Sequence, residues 1–294
     1  MRRPFFLLFS LLCLVSAASA QDEPLVLRLR WLPAHRYVQE TTTETTTGLT
    51  AIGKPEDQKM KVLQTTEIQV AGSEQGEKLA RVTFTALSGE VMLNGKKEVF
   101  DSKNLAGANP MIRSSVGQSV GKSFVLVYGS DDRFVEVRDA SEMARDADQV
   151  PDLAKIAEAR QVADLYRRSL EMGLPKAAVK SGDRWTSQET VNFPSAGTVN
   201  VELRAKLESV VAYEGQQHAK ISFEGEMKRA DETAGSRGVT IGDGSRVFGQ
   251  VLFNVELGTV SFAAFRADIQ LEIQGKKIPV RQQVTTKLAS LTKA

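Results

Sequence analysis

Few residues in this chain have the types and spacing that chemistry demands. The stretch Gly117-Gln118-Ser119-Val120-Gly121-Lys122-Ser123 comes nearest to a nucleotide-binding motif. A phosphate loop needs four residues between its glycines, so that backbone donors wrap the phosphates. Here three intervene and no strand–helix–strand unit surrounds them, so the segment reads as a turn ahead of a strand. His35 and His218 are the only histidines, the side chains best suited to general-base work near neutral pH. They lie far apart, and a lone histidine on a strand is more often a surface or satisfied core residue. The sole cysteine, Cys13, falls in the N-terminal apolar run, which leaves no His/Cys cluster for zinc. Asp131-Asp132 and Asp243 sit among glycines, where aspartate bonds the local backbone, and neither has the spacing of a calcium loop. No Gly-x-Ser-x-Gly pentapeptide occurs. Carboxylates abound in a chain that is 25% charged, so no glycosidase-like pair stands out. The sequence therefore implies no metal and no cofactor.

The run Thr41-Thr42-Thr43-Glu44-Thr45-Thr46-Thr47 offers a row of hydroxyls that could face a carbohydrate. The plainer reading is a solvent-facing strand, because β-branched threonine suits a pleated surface. What remains as a functional feature is shape. Long amphipathic strands with one helix can make a curved sheet whose concave face the helix partly fills. Apolar residues left uncovered would line a groove for an apolar ligand. The candidate lining is Phe84, Phe124, Phe223, Phe248, Phe253, Phe262 and Phe265, with the competing reading that these residues are simply the core.

Residues 1–20 read as a secretory signal peptide. Arg2 and Arg3 form a positive start, Phe5 to Val15 an apolar core, and Ala18-Ser19-Ala20 a small-residue cleavage site, so the mature chain begins at Gln21. The apolar run is too short to remain as a membrane span. Leu12 before Cys13, in mid-core, argues against a lipidation signal. Cleavage removes the only cysteine, so no disulfide can form; the remaining length can build a sizeable core without one. Removing Arg2 and Arg3 lowers Lys plus Arg from 38 to 36, equal to the 36 acidic residues. Charges are interleaved rather than blocked, unlike the basic stripe of a nucleic-acid binder.

From Leu25 onward the dominant hydrophobic period is two, which predicts strands. These run over Leu25–Leu32, Tyr37–Thr47, Met60–Val70, Lys78–Leu87, Glu90–Leu93, Lys97–Phe100, Ser123–Tyr128 and Arg133–Arg138. Asn94-Gly95 is the strongest hairpin signal. Asp101–Gly121 reads as a loop with one short helix. Residues 140–173 differ in kind: Leu153, Ile156, Val162, Leu165, Tyr166 and Leu170 recur at helical spacing, and a second short helix is expected near 141–146. Pro175 and Gly173 end the helix, and Gly182-Asp183 then turns the chain into a strand opening at Trp185. Further strands are predicted over Trp185–Val191, Val199–Tyr213, Ala219–Lys228, Ser245–Glu256, Thr259–Glu272 and Ile278–Leu288. The length of Val199–Tyr213 and Thr259–Glu272 predicts a bulge or bend in each.

The fold expected is mainly β, with antiparallel curved sheets or half-barrels in two related halves. The segments are 21–139, a connecting helical segment 140–173, and 174–294. Tyr37–Thr41 answers Trp185–Thr190, and Lys78–Phe84 answers Gln217–Phe223. The structural hinge is Leu174, Pro175, Gly182, Asp183 and Trp185. Leu174-Pro175 followed by Val179-Lys180-Ser181-Gly182-Asp183-Arg184-Trp185-Thr186 resembles a segment found in an uncharacterised family of exported bacterial β-rich proteins. That resemblance implies export and supplies no catalytic residue. The architecture is also loosely similar to the half-barrels of periplasmic lipoprotein carriers. The function expected is an exported envelope binding or scaffolding protein without catalysis, partnered by a lipid, another apolar ligand or an envelope protein. An envelope hydrolase with an unrecognised site is the alternative.

Overall fold

The computed structural model describes residues 23–93, 95–140, 153–193, 197–230 and 239–294. The signal peptide and its cleavage site, Asn94 of the predicted hairpin and the short helix expected near 141–146 lie outside the described residues. The chain runs β1 (His35–Thr47), β2 (Gln58–Gly72), β3 (Lys78–Leu93), β4 (Lys96–Asp101), α1 (Pro110–Ser119), β5 (Ser123–Tyr128), β6 (Phe134–Arg138) and α2 (Leu153–Glu171). It continues through β7 (Arg184–Phe193), β8 (Gly197–Tyr213), β9 (Gln216–Arg229), β10 (Val239–Ile241), β11 (Ser245–Asn254), β12 (Thr259–Ile273) and β13 (Lys276–Lys293). All thirteen strands join one antiparallel, open, curved sheet of order β6-β5-β3-β2-β1-β13-β12-β11-β9-β8-β7, with β4 on β3 and β10 on β12. Two meanders with the same pairing order, β1-β2-β3-β5-β6 and β7-β8-β9-β11-β12, are joined through β13 against β1.

Alternation fixes which face each side chain takes. Tyr37, Ile68, Val82, Leu126, Leu207, Ile221 and Phe253 point to the inner face and are wholly buried. Both described helices lie on that face. Helix α1 starts where the Asn109 side chain accepts from the Met111 N–H at 3.0 Å, with Pro110 in the first turn. It lays Ile112 and Val116 on Phe100, Val62, Leu87 and Val91. Helix α2 covers the region of β3, β5 and β1: Tyr166 packs edge-on against Phe84 and Phe124, with centroids 6.2 and 5.7 Å away. Gly173, just beyond the helix, has φ +77°, and a Cβ there would meet the Phe223 ring at 3.0 Å.

Besides the short strand β10, which the sequence reading did not expect, three local corrections are needed. Leu25–Leu32 is not a strand: it is an extended segment with a single bridge, Leu25 to Val179. Its alternation survives, because Leu27, Leu29 and Trp31 are buried while Val26 stays exposed. It crosses the end of the sheet, where Arg30 N–H bonds the Gly258 carbonyl at 2.7 Å and Trp31 N–H bonds Asp132 Oδ1 at 3.0 Å. Gly117 to Ser119, read as a turn, form the last residues of α1, since Val116 and its neighbours find an apolar seat on β2–β4. Lys78–Leu87 and Glu90–Leu93 are one strand, bent at the register shift between Thr65 and Thr66 of its partner. Comparable bulges occur at Leu207/Ser209 of β8 and opposite Leu252/Phe253, in β12.

Inner packing alternates large and small residues along a transverse rung, Trp185–Ala205–Phe223–Gly249–Phe265–Val284. Phe223 leans over Gly249, so a Cβ at that glycine would lie 2.8 Å from Phe223 Cζ and 2.5 Å from the Ala264 carbonyl oxygen. Gly249→Ala should therefore lower stability by about 1–3 kcal/mol through overpacking. A urea melt with an unshifted midpoint would contradict that. Trp185 is half-buried on edge strand β7, so Trp185→Ala should cost less than the roughly 3–5 kcal/mol of a fully buried aromatic.

Candidate functional site

Helix α2 spans the gap between the free edges of the sheet. Its Arg167 guanidinium sits over the Phe134 ring of β6, 4.5 Å from the centroid. Arg168 Nη1 donates to Glu189 Oε2 of β7 at 2.6 Å. Both arginines also bond Asp164, at 3.0 Å from Arg167 Nη2 and 2.6 Å from Arg168 Nε. Burial pushes the Asp164 carboxyl up, but the hydrogen bonds from Arg168 and Arg167 outweigh it and hold the group below its ordinary range. Glu171, on the same helix, is instead raised, chiefly by burial. The Tyr166 hydroxyl donates to Gln39 Oε1 at 2.9 Å and titrates well above its ordinary value because burial disfavours the phenolate.

The seven phenylalanines therefore do not share one surface. Phe84 and Phe124 are packed beneath Tyr166. Phe223 and Phe253 are core residues, and Phe265 is a half-buried inner residue packed against that core. Phe248 and Phe262 have the opposite parity and point to the outer face. A one-residue difference in strand position moves a side chain through the sheet. The hinge residues hold a turn: Lys180 N–H bonds Asp183 Oδ2 at 2.8 Å, Gly182 has φ +91°, and Gly182 and Asp183 dock on Leu207 of β8.

A concavity of about 980 Å³ lies on the outer face of β7–β9 and β11–β13. Two outward rungs form it. One is Arg184–Lys206–Ser222–Gln250–Ala264–Thr285; the other is Thr186–Arg204–Glu224–Phe248–Arg266–Gln283. Phe248 is 40% exposed there. The Arg266 guanidinium lies 5.4 Å from its ring centroid and is fixed by Asp268 at 2.9 and 3.0 Å. Burial raises Asp268, but bonds from Arg266 and Arg281 outweigh it and hold the carboxyl low. Glu208, the bulge residue, accepts from Lys206 at 2.5 Å and Ser222 at 2.6 Å, and those bonds keep it below the usual carboxylate range. The trough thus offers the Phe248 ring and Ala264 among polar side chains, with Arg266 and Lys206 held in place by Asp268 and Glu208. Sequence reasoning found Phe248 but missed the trough, because outward polar residues carry no signal of a saddle.

The two histidines differ. His35 Nδ1 lies 2.9 Å from the Pro33 carbonyl oxygen at an exposed position. His218 is buried, with Nδ1 at 3.0 Å from the Gln216 carbonyl oxygen and Nε2 at 2.8 Å from Ser261 Oγ. No carboxylate is among these partners. Among the described residues no three His, Cys, Asp or Glu side chains gather to hold a metal, and no helix is long and apolar enough to cross a membrane.

No protein-family profile matches the chain. No curated protein matches it at a significant level. A Bacteroides fragilis protein assigned as exported, with a YmcC-like fold, is 10% identical over 92% of this chain and 100% of its own, with a TM-score of 0.24. A β-barrel-like protein of a domain of unknown function from Brucella abortus is 12% identical over 91% of this chain and 99% of its own, with a TM-score of 0.25. At these scores neither likeness bears on what the chain does.

The Asp164 bonds give a signed pH dependence. A carboxyl lowered by folding stabilises the fold fully above its unfolded value, and that stability is lost as pH falls through the lowered folded value. Asp164→Asn should therefore flatten the acid limb of the stability curve, measured by urea melts from pH 7 downward. A variant whose acid limb parallels wild type would refute the assignment. Tyr166→Phe should cost about 1–3 kcal/mol, because Gln39 is left buried without its donor.

Proposed function

We propose that the protein is exported and works in the cell envelope as a binding or scaffolding protein for an apolar ligand, such as a lipid acyl chain. The observation that carries this reading is the outer trough, where Phe248 is 40% exposed beside Arg266. A concave site that sets an aromatic face beside oriented cations suits a ligand with an apolar part and an anionic end. An acyl chain would lie along Phe248, Gly249 and Ala264, and its polar end would meet Arg266 or Lys206. The apolar inner face contributes less, because α1 and α2 already occupy much of it. Export is supported by Arg2-Arg3, the apolar run and Ala18-Ser19-Ala20. We read 21–139 and 174–294 as related halves joined by 140–173; the shared pairing order of the two meanders supports this. The Leu174-Pro175 and Gly182-Asp183-Arg184-Trp185 segment supports kinship with exported bacterial β-rich proteins.

Protein purified from its host should begin at Gln21 by N-terminal sequencing. Under native mass spectrometry it should carry an extra mass released by organic solvent. Phe248→Asp should weaken uptake of a fluorescent fatty acid by about tenfold, since a buried apolar contact of about 1.4 kcal/mol is lost. A host-purified chain with no added mass, together with a Phe248→Asp variant that binds the probe like wild type, would sink the reading.

A further inference from the structure

We propose that Ser261 is a nucleophile activated by His218, at a second site that hydrolyses carboxylic esters with an apolar acyl group. The tautomer follows from the neighbours. The Gln216 carbonyl can only accept, so Nδ1 of His218, 3.0 Å away, carries the proton. Nε2 then presents a lone pair, and Ser261 Oγ at 2.8 Å must donate its hydrogen to it. That is the protonation pattern a serine nucleophile needs, with a backbone carbonyl in the place of the usual orienting carboxylate. Tyr213 packs edge-on against the imidazole, with ring centroids 5.2 Å apart, and fixes its plane.

Ser261 is placed by a bulge. It is the extra residue of β12 opposite Leu252/Phe253. The ladder between β12 and β13 ends at Phe262 and Lys287, so Ser261 lies where the two strands part. The opening there is a cavity of about 440 Å³, where Leu32, Leu257, Leu288 and Leu291 sit beside Ser261 among polar residues that include His35, Glu214 and Lys293. His218 is closed off from solvent behind it. The four leucines suit an apolar acyl group, and the outer trough lies elsewhere on the sheet, so this inference does not rest on the binding function.

The chemistry balances with water as the only co-reactant. Ser261 Oγ bonds the acyl carbon as its proton passes to His218 Nε2. The C–O bond to the alcohol breaks and His218 returns the proton to the leaving oxygen. Water then attacks the acyl-serine with His218 as base, giving the carboxylic acid and restoring Ser261.

The test uses the full secreted chain and an alkyl fluorophosphonate. One probe per chain should attach, and peptide mapping should place it on Ser261. Ser261→Ala should abolish attachment, and His218→Gln should slow it by about 100-fold, the lower end of a general base's contribution. Because His218 is buried, Ser261→Ala decides the matter should His218→Gln fail to fold: it removes one hydroxyl and leaves the imidazole's bond to Gln216. Wild-type protein left unmodified by millimolar probe, or modified equally in Ser261→Ala, would overturn the proposal.

Discussion

The ladder between β1 and β13 is the contact on which the rest of the structure depends. It joins the first described strand to the last, pairing His35 with Lys293 at one end and Thr47 with Val280 at the other. Without it the two meanders would be separate sheets, each with an unpaired edge where the middle now lies. Such a pairing closes nearly the whole chain into a loop, and its entropy grows only slowly with length. The threonine run earns its place in this light: β-branched residues favour the pleat, and Thr41 Oγ1 meets Thr286 Oγ1 across the ladder at 3.0 Å. Thr41, Thr43 and Thr45 face the inner side and Thr42 and Thr46 the outer, so the run is the centre of the sheet, not an exposed border.

Once that seam is made, the free edges are β6 and β7, and curvature brings α2 between them. The helix does three physical jobs at once. Tyr166 and Ala163 fill the inner face, Arg167 caps the ring on β6, and Arg168 ties to β7. Asp164 holds both arginines in position, and so aligns the two ties with each other. Beside these contacts the Leu27–Trp31 segment acts as a plug across one end of the sheet. Its Trp31 stacks against Tyr37 and Tyr128, and Asp132 binds both its backbone and Lys78.

Filling the inner face in this way shifts where function can sit. A curved sheet suggests a pocket on its hollow side, yet here the described hollow is occupied by helices and by the N-terminal segment. Twist makes the outer face of β7–β13 locally hollow as well, and that face retains an exposed aromatic and oriented cations. Bulges supply the other irregularity. Glu208 and Ser261 are each the extra residue of a bulged pair, and both carry polar side chains that line a concavity.

Much of this was legible in the sequence, because period-two alternation, glycine-containing turns and a proline-stopped helix are local signals. They determined a mainly β, antiparallel chain with one long helix ahead of Trp185, and nearly every strand. Local signals cannot say which strand meets which, since β1 pairing with β13 is set by burial on folding and leaves no trace in either segment. Nor could they sort the phenylalanines: Phe253 and Phe248 look alike as letters, and only register sends one to the core and the other outward. His218 and Ser261, forty-three residues apart, were brought within 2.8 Å solely because β9, β11 and β12 lie side by side. Composition and spacing decided what could form; the closing of one long-range ladder decided where each face, and so each candidate site, would be.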